Sequence, residues 1–401
     1  MDPHQRLRQK LDLFPAGMPD CEETRELLRL LFTDSDAALA ARTPNFPLTQ
    51  PARRIAIRAG APAEQAAAQL RGMADRGLIL EYIILGTPRY ALMPAMPGFL
   101  EMQFLEPEKM NDPQRQRAGR LWHKAMHGPY GREVFDYPTS SMRVIPLNKS
   151  ISTRQTVYSF EEAEAILRAS GRISLTRCAC RTSAENPCAA PRETCLMLNA
   201  GSDYVGGRMG LARRISRKQA LRTLEQSAAA GLVHTTTNNR PPVQVLCSCC
   251  PCCCTGLISV TRLGRPARDI ASNFRAAPAP GGPACTACGA CAGACPTHAI
   301  TPPIKKSRLH TNSHDSKPSA APQNQTAQAP ANASPHAPTI DTTRCLGCGL
   351  CVHACPAGAL ALQRKSNKAP APSTAHLWLR MFRDRGKLDR NLIALARDML
   401  T

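Results

Sequence analysis

The sequence predicts an α+β fold in three successive parts. These are a helical N-terminal unit closed by a hairpin, a mixed α/β cysteine-rich middle domain, and a small C-terminal module stapled by further cysteines. Three observations carry that expectation. Helical periodicity gives way to short β-rich runs over residues 19–94. Two capping boxes, each followed by a short apolar run, lead into cysteine groups at 178–195 and 247–254. A four-cysteine pattern recurs at a constant offset of 60 between Cys285 and Cys355.

At the N-terminal end, "PDCEETRELLRLLF" places Leu27, Leu28, Leu31 and Phe32 near one helical face. In "TQPARRIAIRAG", Thr49 is the expected N-cap, Pro51 sits in the first turn and Gly60 follows the last. A second helix follows over roughly 62–76, then "LILEYIIL" and "RYALMP" joined by "GTP", a hairpin signal. Helix, short turn, helix and hairpin in that order resemble a winged helix-turn-helix over residues 19–94.

Residues 95–158 read as a connecting region with a helix around 113–127 and a loop-like "GPYGREVFDYPTS". His123 and His127 share a helix face, but no following glutamate or third ligand accompanies them. They read as an ordinary surface pair. From 159 to 275 an α/β pattern emerges. Ser159 with Glu162 opens one helix, and the strand "RISL" delivers the chain to Cys178. Ser216 with Gln219 opens a second helix that Gly231 stops, and "VQVL" delivers the chain to "CSCCPCCC". Both cysteine groups are therefore expected at one end of a single domain.

The chain has 401 residues and 19 cysteines, of which all but Cys21 lie between 178 and 355. No apolar run reaches membrane-spanning length and no secretory pattern opens the chain, so a cytoplasmic, reducing setting is expected. In that setting clustered cysteines read as metal ligands rather than as a disulfide framework. Walker, G-x-G-x-x-G and C-x-x-C-H patterns are missing, so ATP, dinucleotide and c-type haem chemistry are not indicated.

"CTACGACAGACP" and "CLGCGLCVHACP" both spell C-x2-C-x2-C-x3-C-P. This arrangement over 280–362 resembles the bacterial two-cluster ferredoxins. The small residues Ala287, Gly289, Ala290, Gly347 and Gly349 let the backbone curl so that its amides face sulfur. The resemblance implies two 4Fe-4S clusters, one held by Cys285, Cys288, Cys291 and Cys355, the other by Cys345, Cys348, Cys351 and Cys295. The module has few large apolar residues, so the clusters are expected to serve as its core. Between the halves, residues 305–338 carry five prolines and one large aliphatic, Leu309, and are expected to be disordered.

Cys178, Cys180, Cys188 and Cys195 fit the paired spacing of common zinc sites poorly, and four thiolates also suit a third cluster. Cys247, Cys249, Cys250, Cys252, Cys253 and Cys254 make a further metal site the expectation, with some of them packing or shared with the 178–195 group. C-x-P-C within that run is not read as a thioredoxin dithiol, since neighbouring thiols would scramble it. The whole layout resembles a bacterial group of multi-cluster 4Fe-4S binding proteins with a winged-helix-like start. That resemblance implies several clusters and supplies no activity for the middle domain.

The net charge is +21, unevenly placed. Residues 1–200 hold 26 basic and 22 acidic residues, and residues 201–401 hold 25 and 8. Basic residues beside anionic clusters suit docking of an acidic soluble redox partner. The near-neutral N-terminal unit offers just Arg71 and Arg76 on the second of its paired helices, which favours protein docking over DNA binding. A basic tail, 363–401, ends in two short amphipathic helices. The expected function is iron–sulfur electron transfer. An iron–sulfur oxidoreductase whose middle cluster acts on substrate, and a redox-sensing DNA-binding regulator, are the alternatives.

Overall fold

The computed structural model describes residues 2–105, 112–147, 157–303 and 337–400. Helix and strand are mixed throughout, as an α+β chain requires. Most of the insert expected to be disordered, 305–336, lies outside the described residues.

The N-terminal unit opens on a helix absent from the sequence expectation, Pro3–Leu11, whose Leu7 and Leu11 are buried. The apolar pattern after residue 19 folds as two helices, Glu22–Leu31 and Asp34–Ala40. They part at Thr33, whose hydroxyl caps the second by accepting from the Asp36 amide at 3.1 Å. The pair Ala52–Ala59 and Ala63–Asp75 follows, with Gly60 between them in the left-handed region at φ 65°. The N-cap of the first is Pro51 rather than Thr49; Thr49 instead accepts two hydrogen bonds from Arg89. Strands β1 (Gln50–Pro51), β2 (Leu80–Ile84) and β3 (Thr87–Ala91) form an antiparallel sheet in the order β1-β3-β2. The hairpin turn is Leu85-Gly86, both at positive φ, so Thr87 and Pro88 lie in the strand and not in the turn.

The helix Asp112–Met126 appears where periodicity placed it. The "GPYGREVF" stretch read as a loop is helical over Pro129–Phe135, started by Pro129 at its first position. Trp122 stacks on Phe104 at 5.4 Å between ring centres, joining these helices to the N-terminal core.

The middle domain is a six-stranded antiparallel sheet in the order β4-β8-β9-β6-β5-β7. Its strands are β4 (Met142–Val144), β5 (Ile173–Arg177), β6 (Glu193–Leu198), β7 (Arg213–Arg214), β8 (Val233–Thr237) and β9 (Val245–Cys249). Residues 95–158, read as a connection, thus supply an edge strand. The Ser216–Gln219 capping box opens the helix Arg217–Ala229, with the Gln219 amide donating to Ser216 Oγ at 3.2 Å. The other box is shifted by one. Glu161 rather than Glu162 turns back, accepting from the Tyr158 amide at 3.0 Å, and the α-helix begins at Ala163.

In the C-terminal module β10 (Phe274–Pro278) pairs with β13 (Leu360–Arg364), and β11 (Ile300–Thr301) with β12 (Thr339–Ile340). A boundary at 275 would cut β10, which belongs with this module. Helices Thr374–Asp384 and Leu388–Leu400 then return to the N-terminal core. Leu377 and Met381 are buried there, and Trp378 meets Phe14 and Phe46 edge-on.

Candidate metal centres

The repeat of 60 seen in the cysteines is also a repeat of backbone conformation. Ala287 and Gly347 both have positive φ (54° and 66°), as do Gly289 and Gly349 (76° and 85°) and His298 and Gly358 (50° and 64°). Short helices Ala290–Gly293 and Leu350–His353 follow at matching positions. Each left-handed residue tightens the loop so that amides face thiols. The Ala287 amide donates to Cys285 Sγ at 3.4 Å, Ala276 to Cys345 at 3.4 Å, and Ala299 to Cys295 at 3.2 Å.

Cys348 has Cys345 and Cys295 as neighbours, Cys351 has these together with Cys348 and Cys291, and Cys291 has Cys285 and Cys355, so the fourth cysteine of each motif lies near the first three of the other. A small hollow of about 10 Å³ is lined by Cys295, Cys345, Cys348 and Cys351 with Leu346, Leu362 and Ala276 among its walls. Burial pushes the Cys348 thiol up to about 12, so its thiolate would need a cation beside it near neutrality. The four residues on this side are all buried, while Cys288 on the other is exposed. Soft sulfur donors, amides aimed at sulfur and an apolar wall fit an iron–sulfur cluster.

The ten middle-domain cysteines are regrouped by the sheet. Strands β5 and β9 both pair antiparallel with β6, so they run the same way and end at the same edge. Cys195 lies near the start of β6, opposite Thr176, at that edge. Side chains alternate along β9, so Cys247 and Cys249 share a face; Ser248 points oppositely and bonds His234 at 3.1 Å. The strand therefore runs into the octapeptide itself. Cys250 follows on the other side.

Two sets result. Cys178, Cys180, Cys254, Cys249, Cys247 and Cys195 form a closed ring in which each thiol has the next as a near neighbour. Cys195 and Cys247 are 3.9 Å apart. Thr235 lies 3.3 Å from Cys249 and Thr255 3.5 Å from Cys180. In this ring Cys195 is drawn down to about 5 by the thiols of Cys178 and Cys247, and Cys249 is lowered by Cys247 and Cys254. Their donors, Cys247 and Cys254, are raised in return. The second set gathers Cys188, Cys250, Cys252 and Cys253, whose sulfurs lie within 4.8 Å of one another. The grouping of Cys188 with Cys178, Cys180 and Cys195 is thus not what the structure brings together.

Between the sets sits Arg181, fully buried. It donates to Ser248 O at 3.2 Å and to Thr194 Oγ1. Burial works against its charge, but the Cys178, Cys250 and Cys195 sulfurs hold it, and its pKa lies above the ordinary value. The Cys253 thiol and amide, with Arg181, draw Cys250 down to about 4. Arg181 directly follows Cys180 in the sequence, where no local pattern distinguishes a buried counter-charge from a surface one. His123 is half-buried, not at the surface as expected for the pair with His127. Its Nε2 lies 3.1 Å from Ser183 Oγ, burial lowers its pKa, and His127 is exposed.

Residues 284–359 match the family model of the 4Fe-4S dicluster domain. No curated protein and no solved structure matches the chain. The C-terminal module is thus a 4Fe-4S dicluster domain, and the protein is an iron–sulfur protein. Among the described residues no helix is long and apolar enough to cross a membrane.

Proposed function

We propose that the protein is an electron carrier that links a redox partner, through its dicluster domain, to a third iron–sulfur centre in the six-thiol ring. Clusters bound at these sites accept and release single electrons. One observation carries the reading: Cys348 of the dicluster domain shares a packed apolar cluster with Cys249 and Cys254 of the ring, cemented by Val233, Leu257, Leu346 and Leu350. The Leu147 amide also donates to the Cys348 carbonyl at 3.1 Å. The buried half of the domain therefore abuts the ring, while the half with exposed Cys288 faces solvent, where a soluble partner can dock. Basic residues of the C-terminal half favour an acidic partner.

The N-terminal unit has the β-helix-helix-β-β order of a winged helix, and we read it as a protein-docking module. Arg76 is engaged by Asp36 at 2.6 Å and Arg71 by Tyr90. The hairpin tip presents Ile83, Ile84 and Leu85, all exposed, rather than cations that would meet phosphates.

Anaerobically purified protein tests the reading by its iron count and by reductive titration followed by electron paramagnetic resonance. The dicluster domain alone supplies about eight irons per chain, and a loaded ring raises this to about twelve or more. Signals of at least three interacting centres are expected, with the ring's signal lost in Cys195→Ser and Cys249→Ser while the other two persist. About eight irons, unchanged in those variants, overturns the third centre.

A further inference from the structure

The four thiols of Cys188, Cys250, Cys252 and Cys253 differ in kind from every other cysteine group in the molecule. Among the described residues they alone include three or more sulfurs lying within 4.8 Å of one another. The dicluster quartets and the six-thiol ring are more open. A cube holds its ligand sulfurs apart by a layer of iron and sulfide. A single tetrahedral ion does not: with metal–sulfur bonds of about 2.3 Å, the sulfurs of a four-thiolate zinc site stand about 3.8 Å from each other. Cys252 and Cys253 are 3.6 Å apart.

We infer that this set is a closed, four-thiolate zinc site, separate from the iron–sulfur centres and independent of the electron-carrier reading. The surroundings suit it. The Cys253 amide and the Arg181 guanidinium lie beside the Cys250 sulfur, and the Cys188 amide beside the Cys253 sulfur. These contacts offset the negative charge that four thiolates place on a divalent ion. The apolar cluster here has one large aliphatic, Leu232, packed with Cys250, Cys253, Cys188, Ala184 and Ala190. So small a core does not hold a loop by itself, and an ion that ties Cys188 to the turn after β9 supplies what it lacks. The ion staples two segments that also carry ring thiols, Cys178 and Cys180 before the 184–192 loop, and Cys254 after the turn. Tetrahedral four-sulfur geometry with no open position makes the site structural rather than catalytic.

The full-length protein, purified without oxygen, tests this by metal analysis and X-ray absorption at the zinc edge. About one zinc per chain is expected, surrounded by four sulfurs at about 2.3 Å with no iron neighbour. Cys252→Ser, at the surface of the site, should cut zinc to less than about a tenth while the iron count stays unchanged. Should that variant fail to fold, the absorption spectrum of the unaltered protein decides alone. Absence of zinc together with about four irons lost in Cys252→Ser would place a cube here and overturn the inference; so would a mononuclear iron–thiolate spectrum. Failure of the electron-carrier reading is told apart, because it is read from iron in the ring variants and not from zinc.

Discussion

At the scale of single residues, two equivalent positions of the repeat behave oppositely. Gly347 has φ 66°, and a Cβ there would stand 2.1 Å from the Phe274 carbonyl oxygen in β10. That oxygen is backbone of the neighbouring strand and has nowhere to go. Gly347→Ala is expected to cost about 3 kcal/mol or more and to lower the yield of bound iron, measured as visible absorbance per chain. Its counterpart Ala287 holds a left-handed φ of 54° with a side chain already present. Ala287→Gly relieves strain of about 1 kcal/mol, partly offset by unfolded-chain entropy, so thermal unfolding should shift upward or stay level. The small residues in these loops were legible from the sequence. Which of them is forbidden a Cβ was not, because that depends on a strand some 70 residues away in the chain.

At the scale of elements, a buried ion pair fastens the dicluster domain to the middle domain. Glu161 accepts from Arg364 of β13 at 2.6 and 3.0 Å and from Asn273 at 2.7 Å. The guanidinium lies over Phe274 at 4.5 Å. Burial opposes the Glu161 charge, but these donors and the Tyr158 amide overcome it and hold its carboxyl below the ordinary value of 4.5. A carboxyl with a lowered folded pKa contributes stability that is present above its unfolded pKa and lost as pH falls through the folded one. Glu161→Gln should therefore cost about 3 kcal/mol near neutrality, and the difference from the unaltered protein should shrink below about pH 4, followed by circular dichroism melts. Sequence reading found this glutamate inside a helix-opening pattern and assigned the cap one residue late. Its tertiary partner, not local propensity, decides which of two adjacent glutamates turns inward.

At the scale of the whole molecule, the chain closes on itself. The last helix carries Asp398 back to the N-terminal unit, where Lys10 and Arg58 reach its carboxylate at 2.6 and 2.7 Å and Gln50 its carbonyl at 2.7 Å. Asp398→Ala removes the anion that two nearly buried cations share and is expected to destabilise by about 3 kcal/mol. The loss should be larger than that of an exposed pair such as Arg117–Glu26, which a parallel Glu26→Ala melt would place near or below about 1 kcal/mol. Lys387 of the basic C-terminal half reaches Glu133 at 2.7 Å and Asp12 at 3.4 Å, so part of that half's charge also goes into holding the molecule together. The amphipathic helices of the tail were legible from periodicity. What they dock on was not, because an apolar stripe specifies burial without specifying an address.

The sequence by itself determined the chemistry: soft thiol ligands, the dicluster pattern at its fixed spacing, small residues where the backbone must curl, and the alternation of helix and strand. These are local properties, set by residue type and by distances of a few positions along the chain. Tertiary structure alone decided how the ten middle cysteines divide, since β5, β6 and β9 bring to one sheet edge sulfurs that are some 50 to 75 residues apart. Strand alternation sends Cys249 to one side and its neighbour Cys250 to the other, so adjacency in the chain becomes separation in space.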